Sequence, residues 1–244
     1  SSPRAAFLGH FDWLKKFPFR LVLAFSPYWN LVSFFVIHSR GFFVVLEGLD
    51  KSGKSTQIKL LARRWRRLRA SVLVTREPGG TVLGEKLREI LLHTREDVAP
   101  EAELLLYEAS RAQHVVLKIL PALRRGCLVL CDRFSLSTFA YQGMGRRMPM
   151  PAVRQIDYFA TAGLKPDLTI VLDLPAKLFL ERMEERRDRM ESAVSFLKKV
   201  RSAYRRLASV TRKTVIVRAD RDPKIIHQQL VGIIEGHPRF KRLK

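Results

Sequence analysis

The sequence predicts an α/β fold in which helices cover both faces of a five-stranded parallel sheet. From residue 41 onward, short apolar runs rich in β-branched and aromatic residues alternate with longer stretches of helical periodicity. This alternation is typical of βαβ units, which align their strands in parallel and place their helices on the sheet faces. The length of 244 residues and the hydrophobic content of 47% suit one such domain with an appended segment.

Five segments carry the strand pattern, since each is short, apolar and followed by polar residues. In chain order they read GFFVVLEG, SVLVTREP, CLVLCDRF, DLTIVLDLP and TVIVRAD. Two of the intervening stretches are clearly amphipathic and are predicted to be helices. They read TVLGEKLREILLH and the longer PEAELLLYEASRAQHVVLKILPALRRG, which is expected to end at Gly126.

The first helix is predicted over residues 54–69, directly after the first strand, because its apolar and charged residues separate onto two faces. The side chains expected to face inward are those of Leu60, Leu61, Trp65 and Leu68. The side chains expected to face solvent are those of Arg63, Arg64, Arg66 and Arg67.

The two cysteines, Cys127 and Cys131, lie four residues apart on the predicted third strand. At about 3.3 Å per residue they share a face but are too far apart for a disulfide. We interpret them as small apolar core residues, which is typical of a protein in a reducing compartment.

The formal net charge of +22, from 45 Lys and Arg against 23 Asp and Glu, exceeds what solubility requires. Such a charge favours anionic partners, which include nucleotides, nucleic acids and acidic membrane surfaces. It narrows the class of ligand without choosing among these three.

The break after the first strand contains the most specific motif. Residues 48–55 read GLDKSGKS, which fits G-x-x-x-x-G-K-[ST] between a predicted strand and a predicted helix. In this motif backbone N–H groups surround phosphate oxygens, Lys54 reaches the β- and γ-phosphates, and the Ser55 hydroxyl can ligate Mg²⁺. The pattern therefore predicts a three-layer sandwich of the P-loop NTPase type. The expected ATP-binding residues are Gly48, Leu49, Asp50, Lys51, Ser52, Gly53, Lys54, Ser55 and Thr56.

GTPases, ATPases and small-molecule kinases all use such a loop. There is no obvious guanine-recognition sequence of the form Asn/Thr-Lys-x-Asp, and the only asparagine, Asn30, lies outside the predicted domain. The size of the segment 41–244 suits a nucleotide kinase.

Four further segments agree with one family. TREPGGT (75–81) follows the second strand, LLLYEASRAQH (104–114) lies on the long helix, CDRFSLSTFAYQG (131–143) follows the third strand, and KPDLTIVLDLP spans 165–175. Together with GLDKSGKSTQ they resemble the thymidylate kinase family, whose members phosphorylate dTMP to dTDP. The resemblance is specific, because five separate motifs occur in matching order. It implies a kinase domain over residues 41–244 and an N-terminal extension over residues 1–40.

Tyr107 and Arg111 are four residues apart on the long helix, so both project from one face. The resemblance implies that this ring and this guanidinium hold thymine, with Tyr107 standing where phenylalanine is commoner. The alternative is a half-buried tyrosine beside a surface arginine.

The third strand leads into further expected substrate contacts. Arg133 follows the carboxyl end of this strand, where parallel sheets bind ligands, and the resemblance implies that it binds phosphate. The neighbouring Asp132 could simply cap the next helix. The resemblance implies that Thr138 and Gln142 contact the base, and that Tyr141 crowds the 2′ side of the sugar and disfavours ribose.

The second strand leads into two more. The resemblance places Glu77 and Arg88 near the acceptor sugar and phosphate. Glu77 could instead be the ion-pair partner of Arg76.

Two sets of cations could stabilise the transferring phosphoryl group. The resemblance implies a mobile lid over residues 181–192 that carries Arg186, Arg187 and Arg189, although the lid is shortened and its arginines could belong to a solvated helix face. Lys51 lies inside the phosphate-binding loop, where eukaryotic members carry an arginine that contacts this group. The alternative is a solvent-facing lysine.

Phosphoryl transfer requires positioning and charge neutralisation rather than covalent chemistry. We therefore expect ATP with Mg²⁺ on the loop, with Ser55 and Asp50 as the metal residues, and dTMP in the neighbouring cleft. The expected catalytic residues are Lys54, Asp50, Lys51, Arg133, Arg186, Arg187 and Arg189. One rival is a deoxynucleoside kinase on the same fold, with Glu77 as its base, and another is a nucleic-acid-binding P-loop ATPase.

Residues 1–40 differ in composition from the rest, with seven of the 15 phenylalanines and one acidic residue, Asp12. The stretch 17–37 is apolar, but a membrane span needs about 20 apolar residues without interruption. The interruptions are Pro18, Arg20, Pro27 and Asn30. A cleavable signal would export the kinase away from its ATP. We expect this segment to pack on the domain surface or to be a start-site artefact.

The expected partners are dTMP and ATP, with neither nucleic acid nor a membrane as a partner. The resemblance implies a homodimer, and the expected location is the cytoplasm.

Overall fold

The computed structural model describes residues 40–94, 97–175, 178–179 and 190–241, without the side chains of residues 190–193. The predicted N-terminal extension therefore lies almost entirely outside the described residues. So does most of the predicted lid, including Arg186, Arg187 and Arg189. Among the described residues, no helix is both long enough and apolar enough to cross a membrane.

The sheet has five strands, all parallel, in the order β2-β3-β1-β4-β5. The strands are β1 (Phe42–Glu47), β2 (Val72–Arg76), β3 (Leu128–Asp132), β4 (Leu168–Asp173) and β5 (Thr214–Arg218). The predicted fold class is confirmed, and all five predicted strands occur at their expected places.

Helices connect the strands. They are α1 (Lys54–Arg67), α2 (Val82–His93), α3 (Pro100–His114), α4 (Leu120–Arg124), α5 (Ser135–Thr138), α6 (Met150–Thr161), α7 (Met190–Val210), α8 (Pro223–Gly236) and α9 (Pro238–Lys241). Two π-helical stretches, Val115–Ile119 and Phe139–Gly145, follow α3 and α5.

The central strand β1 is buried along its whole length, which explains its unbroken apolar sequence. Its alternate side chains enter two hydrophobic clusters. Phe42, Val44 and Leu46 pack in a cluster with side chains of α1 and α8. Phe43 and Val45 pack in a second cluster that includes Cys127 and Cys131. Both cysteines are buried and free, as predicted.

Two details of the predicted helices are wrong. Leu68 is 59% exposed, because α1 ends at Arg67 and Leu68 caps it outside the core. The long helix is not continuous, because a π-helical stretch interrupts it before α4. Pro121 offers the physical reason, since it cannot donate a hydrogen bond to Leu117 and its ring crowds that carbonyl group.

The topology brings the motifs together at the carboxyl edge of the sheet. Strand β1 lies between β3 and β4, so the loop after β1 and the loop after β3 are neighbours. The backbone N–H of Arg133 donates to the carbonyl oxygen of Leu46 at 2.9 Å, and that of Glu77 donates to Asp132 at 2.9 Å. The crevice outside such strand ends is where open α/β sheets bind ligands.

Candidate active site

The loop between β1 and α1 has a backbone that only glycine readily adopts. Gly48 and Gly53 have positive φ angles of 132° and 93°. A Cβ atom on Gly48 would lie 2.5 Å from the carbonyl oxygen of Leu172, so the loop passes β4 without room for a side chain. Because the loop leads into the N-terminus of α1, phosphate would gain the partial positive charge of that helix.

Lys54 is the first residue of α1, and its ammonium group folds back on the loop. It donates to the carbonyl oxygens of Gly48 at 3.1 Å and Leu49 at 2.8 Å. Burial, helped by the neighbouring charge of Arg133, lowers the pKa of Lys54 to about 8, against carboxylates that raise it. Bound phosphates would add negative charge beside the ammonium group and favour its charged form.

Ser55 and Asp132 form a pair suited to a divalent metal. The Ser55 hydroxyl donates to Oδ2 of Asp132 at 2.8 Å. Oδ1 of Asp132 is buried and makes no hydrogen bond with the described part of the chain. Mg²⁺ prefers oxygen ligands, and P-loop NTPases hold it with the loop Ser or Thr and an aspartate at a strand end.

The alternative role of Asp132 as a helix cap is wrong. The N-cap residue of α5 is Phe134, and no side chain caps that helix. The predicted metal residue Asp50 is engaged elsewhere, because its Oδ1 accepts from Nη2 of Arg133 at 2.7 Å. Desolvation in the cleft raises the pKa of Asp50, but the charges of Arg133 and Lys54 outweigh it and hold that pKa below its ordinary value.

Two cavities meet at this edge of the sheet. The larger, about 410 Å³, is lined by Asp50, Lys51 and residues 53–56 of the loop, and by Arg76, Glu77, Arg88, Asp132 and Arg133. The smaller, about 140 Å³, is lined by all eight predicted substrate residues: Glu77, Arg88, Tyr107, Arg111, Arg133, Thr138, Tyr141 and Gln142. Four residues line both cavities and therefore lie at their junction: Asp50, Glu77, Arg88 and Arg133.

Arg111 is 2% exposed and lies at the centre of a buried ion cluster. Its Nε donates to Glu77 at 2.7 Å, and its Nη1 donates to Glu108, to Asp157 at 2.9 Å and to Thr138 at 2.9 Å. The alternative of a surface arginine is therefore wrong. Three carboxylates fix this guanidinium against the smaller cavity.

One guanidinium cannot neutralise three carboxylates. Burial raises the pKa of Glu108 to about 7, against the opposing charge of Arg111, and burial also raises the pKa of Asp157. Oε2 of Glu108 is buried without a hydrogen bond to the described residues. An unpartnered buried oxygen costs less when its carboxyl group is protonated. The cluster therefore brings the protonation of Glu108 close to neutral pH.

Glu77 does not pair with Arg76, so that alternative is wrong. Arg76 pairs with Glu85 at 2.8 Å, whereas Oε1 of Glu77 lies 2.9 Å from Nδ1 of His114. Burial alone would raise the pKa of Glu77, but Arg111 and His114 lower it. A carboxylate held in this way is a weak general base, which argues against a nucleoside kinase that uses Glu77 to deprotonate a hydroxyl.

Arg133 stands between the two cavities on a strained backbone. Its φ angle is 71°, an uncommon value for a residue with a side chain. The guanidinium carbon lies 5.2 Å from the ring centre of Tyr141, and Nη2 lies 3.4 Å from the Tyr141 hydroxyl. The tyrosine therefore helps to hold the arginine, and its ring also borders the smaller cavity.

The other predicted substrate residues are also held by the protein. Arg88 Nη1 donates to the carbonyl oxygen of Pro78 at 3.0 Å. Gln142 Nε2 donates to Glu103 Oε1 at 2.7 Å, so its amide orientation is set by a carboxylate. Tyr107 is half-buried and lines the smaller cavity.

Lys51 lies exposed at the rim of the larger cavity, in the left-handed conformation with φ of 58°. Its position in the loop agrees with a contact to phosphate. The competing lid arginines lie outside the described residues, so their position relative to Lys51 stays a prediction.

Comparison with known proteins decides the family. The sequence model of thymidylate kinase matches residues 46–230. A curated thymidylate kinase from Synechococcus sp. (strain WH7803) is 46% identical over an alignment of 213 residues, and the match covers 83% of this chain and 99% of that relative. The thymidylate kinase from Pelotomaculum thermopropionicum is 46% identical over an alignment of 202 residues, and the match covers 80% of this chain and 94% of that relative. This chain belongs to the thymidylate kinase family.

Membership confirms the predicted fold class and makes the protein an ATP-dependent nucleotide kinase.

The sequence did not predict the roles of three acidic residues of this site: Asp132 as a partner of Ser55, and Glu108 and Asp157 as partners of Arg111. Glu108 could have been found, because it lies three residues before Arg111 on one helix face. Asp157 lies 46 residues away, so no local pattern reveals it.

Proposed function

We propose that this chain transfers the γ-phosphoryl group of ATP to the phosphate of dTMP, which yields ADP and dTDP. The observation that carries the proposal is the smaller cavity, which holds all eight predicted substrate residues and shares four residues with the phosphate-binding cavity. An acceptor phosphate oxygen is already anionic, so the transfer needs no general base. The held, ionised Glu77 is consistent with a reaction of this kind.

Each group at the junction has a defined task in this reaction. Lys54 and the loop bind the β- and γ-phosphates, and Arg133 and Arg88 hold the acceptor phosphate in line with them. These positively charged groups stabilise the negative charge on the phosphoryl oxygens. Such electrostatic stabilisation is the main source of catalysis in phosphoryl transfer. Positioning two reactants also removes much of the entropy cost of their encounter.

The base would lie against Tyr107, with its edge toward Thr138 and Arg111. Three acidic side chains hold the guanidinium of Arg111 in one orientation. Its remaining N–H groups are therefore also fixed in position. A preorganised donor of this kind favours one base edge over others, because a mismatched base leaves buried polar groups unpaired. Tyr141 would exclude the ribose 2′-hydroxyl.

Mg²⁺ is proposed to bind with ATP at Ser55 and Asp132, with Asp50 nearby at the cleft. A metal ion held by these residues would supply neutralisation of phosphate charge during the transfer. The unpartnered Oδ1 of Asp132 supports this assignment, because a buried carboxylate oxygen without a donor is costly unless a cation joins it.

Lys54→Ala tests the phosphate-binding loop. The variant should lose nearly all formation of dTDP from dTMP and ATP, because the phosphates lose their buried counter-charge. Lys59→Ala, an exposed lysine on the same helix, is the matched control and should retain normal turnover. Near-normal turnover of the Lys54→Ala variant would overturn the assignment.

The exposed apolar side chains of three adjacent helices support a homodimer. Helices α2, α3 and α6 pack side by side. Ile90 is 48% exposed, Leu105 is 56% exposed and Phe159 is 61% exposed. Exposed apolar side chains on neighbouring helices are typical of an interface. In sedimentation, Leu105→Glu should give monomers, whereas Ile225→Glu on the exposed face of α8 should leave dimers intact.

We further propose that residues 1–40 are an extension outside the kinase domain of residues 41–244, and that the enzyme acts in the cytoplasm. The two free, buried cysteines agree with a reducing compartment.

A further inference from the structure

Glu47 is fully buried at the end of β1 and is not among the residues that line the two substrate cavities. Its carboxylate nevertheless accepts four hydrogen bonds. Oε1 accepts from the backbone N–H of Phe134 at 2.9 Å and of Ser137 at 3.2 Å. Oε2 accepts from the hydroxyl of Ser137 at 2.5 Å and of Tyr204 at 3.0 Å. Both oxygens are therefore committed to α5 and α7.

The same two hydroxyls hold Arg133. Nη1 of Arg133 donates to Ser137 Oγ at 3.1 Å and to the Tyr204 hydroxyl at 3.1 Å. The two hydroxyls lie 2.8 Å apart. Each one thus accepts from the guanidinium and also contacts the carboxylate of Glu47.

This arrangement is costly unless every member is present. A buried carboxylate is tolerated when its oxygens are paired, and removal of one partner leaves the others unsatisfied. Burial raises the pKa of Glu47, while the Ser137 hydroxyl, the charge of Arg133 and the other donors favour its ionised form. Four donors to two oxygens describe a carboxylate that acts only as an acceptor.

We propose that Glu47, Ser137 and Tyr204 are positioning residues that fix the guanidinium of Arg133 at the junction of the donor and acceptor cavities. An arginine side chain loses rotamer entropy when it is ordered, so a guanidinium that is already fixed binds its phosphate with less loss of freedom. Tyr204 belongs to α7, the helix that follows the predicted lid. The network therefore connects strand β1, Arg133 and helix α7. The proposal rests on the proposed function in assigning phosphate to Arg133.

Tyr204→Phe and Ser137→Ala each remove one hydroxyl and little volume, and Tyr204→Phe is the more decisive of the two because Ser137 also lines the smaller cavity. Each should lower kcat/KM for dTMP by roughly tenfold, the size expected for one charge-assisted hydrogen bond. The KM for ATP should change less than about twofold, because Lys54 and the loop bind ATP independently. Ser137→Thr keeps a hydroxyl and should retain most activity. Matched controls are Tyr158→Phe and Ser209→Ala, which leave the Glu47 network intact and should match the parent chain.

A double-mutant cycle with Arg133→Lys separates positioning from general stabilisation of the fold. If Tyr204 acts through Arg133, Tyr204→Phe should cause little further loss of kcat/KM in the Arg133→Lys background. The proposal would be overturned if the fold-losses in kcat/KM of Tyr204→Phe and Arg133→Lys simply multiplied in the double variant. It would also be overturned if the Tyr204→Phe and Ser137→Ala variants each phosphorylated dTMP as fast as the two controls. A parent chain that does not phosphorylate dTMP would overturn the proposed function instead.

Discussion

Lys51 lines the larger cavity in a backbone conformation that suits glycine. Its φ angle of 58° lies in the left-handed region, where a glycine is less strained than a lysine. Lys51→Gly should therefore leave the loop folded while it removes the charge. We expect kcat and kcat/KM to fall together by roughly ten- to a thousandfold, because a cation that acts only in the transition state affects both.

Steady-state kinetics with varied ATP and dTMP measure this effect, and Lys51→Arg serves as the matched variant that keeps the charge. Unchanged kcat in the glycine variant, combined with a loss on replacing Arg186, Arg187 or Arg189, would assign the role to the lid.

Tyr107 offers the cleanest test of the base pocket. Arg111 is a poorer choice, because its removal would leave buried carboxylates uncompensated and destabilise the fold. Tyr107→Leu should raise the KM for dTMP by roughly five- to a hundredfold, since an aromatic stack on a base contributes about 1–3 kcal/mol. Tyr107→Phe keeps the ring and should change the KM little. A similar KM for dTMP in the leucine variant would refute base stacking at this position.

All eight predicted substrate residues line one cavity. They could be predicted because each belongs to a short motif next to a recognisable strand or helix. Their partners could not be predicted in the same way. Arg111 meets Glu77 across 34 residues and Asp157 across 46, and Ser55 meets Asp132 across 77. Such contacts depend on how the parallel strands and helices stack, which no local pattern contains.

At the scale of elements, the cluster of Arg111, Glu108 and Asp157 links α3 to α6 and makes stability depend on pH. The pKa of Glu108 is raised from its ordinary 4.5 to about 7 in the folded chain. Between these values the folded state binds more protons than the unfolded state. The free energy of unfolding should therefore fall as pH rises through this window, by up to about 1.4 kcal/mol per pH unit for one proton.

Glu108→Gln mimics the protonated form and should flatten this slope. Urea unfolding at pH 5, 6, 7 and 8 measures it, with Glu101→Gln, an exposed position on the same helix, as the control. An equally steep slope in the Glu108→Gln variant would show that another group is responsible.

The N-terminal segment should not be needed by the kinase elements. Gly41 is already bonded within the described domain. Its N–H donates to the carbonyl oxygen of Leu123 at 2.8 Å, and its own carbonyl oxygen accepts from Arg239 at 3.2 Å. Deletion of residues 1–38 should therefore leave a folded enzyme with kcat within about twofold, because no described site residue lies before residue 47. Thermal unfolding and kinetics measure this. Aggregation with loss of activity would show that the segment belongs to the core.

Element type was predictable from periodicity, but two boundaries were not. Leu68 has the spacing of a core residue, yet the helix ends one residue earlier and leaves it exposed. The long helix keeps its apolar face through Pro121, so its pattern gives no sign of the π-helical stretch before it. Periodicity reports which face is buried and is insensitive to local changes in winding.

At the scale of the whole molecule, the charge of +22 is compatible with two very different partners. A cleft lined by cations concentrates small nucleotides, and the same charge also attracts nucleic acid without specificity. The strand order and the two neighbouring cavities favour the first, because they bring a glycine-containing P-loop and a second, smaller cavity to one edge of the sheet.

The most direct test of the central claim is the choice of acceptor by the full chain. ADP release and product identity would be measured with ATP, Mg²⁺ and, in turn, dTMP, thymidine, the other nucleoside monophosphates and single-stranded DNA. We predict the highest kcat/KM with dTMP, dTDP as its product, no transfer to thymidine and no stimulation of ATP hydrolysis by DNA. Transfer to thymidine with dTMP inert, or ATP hydrolysis that depends on DNA, would contradict the account.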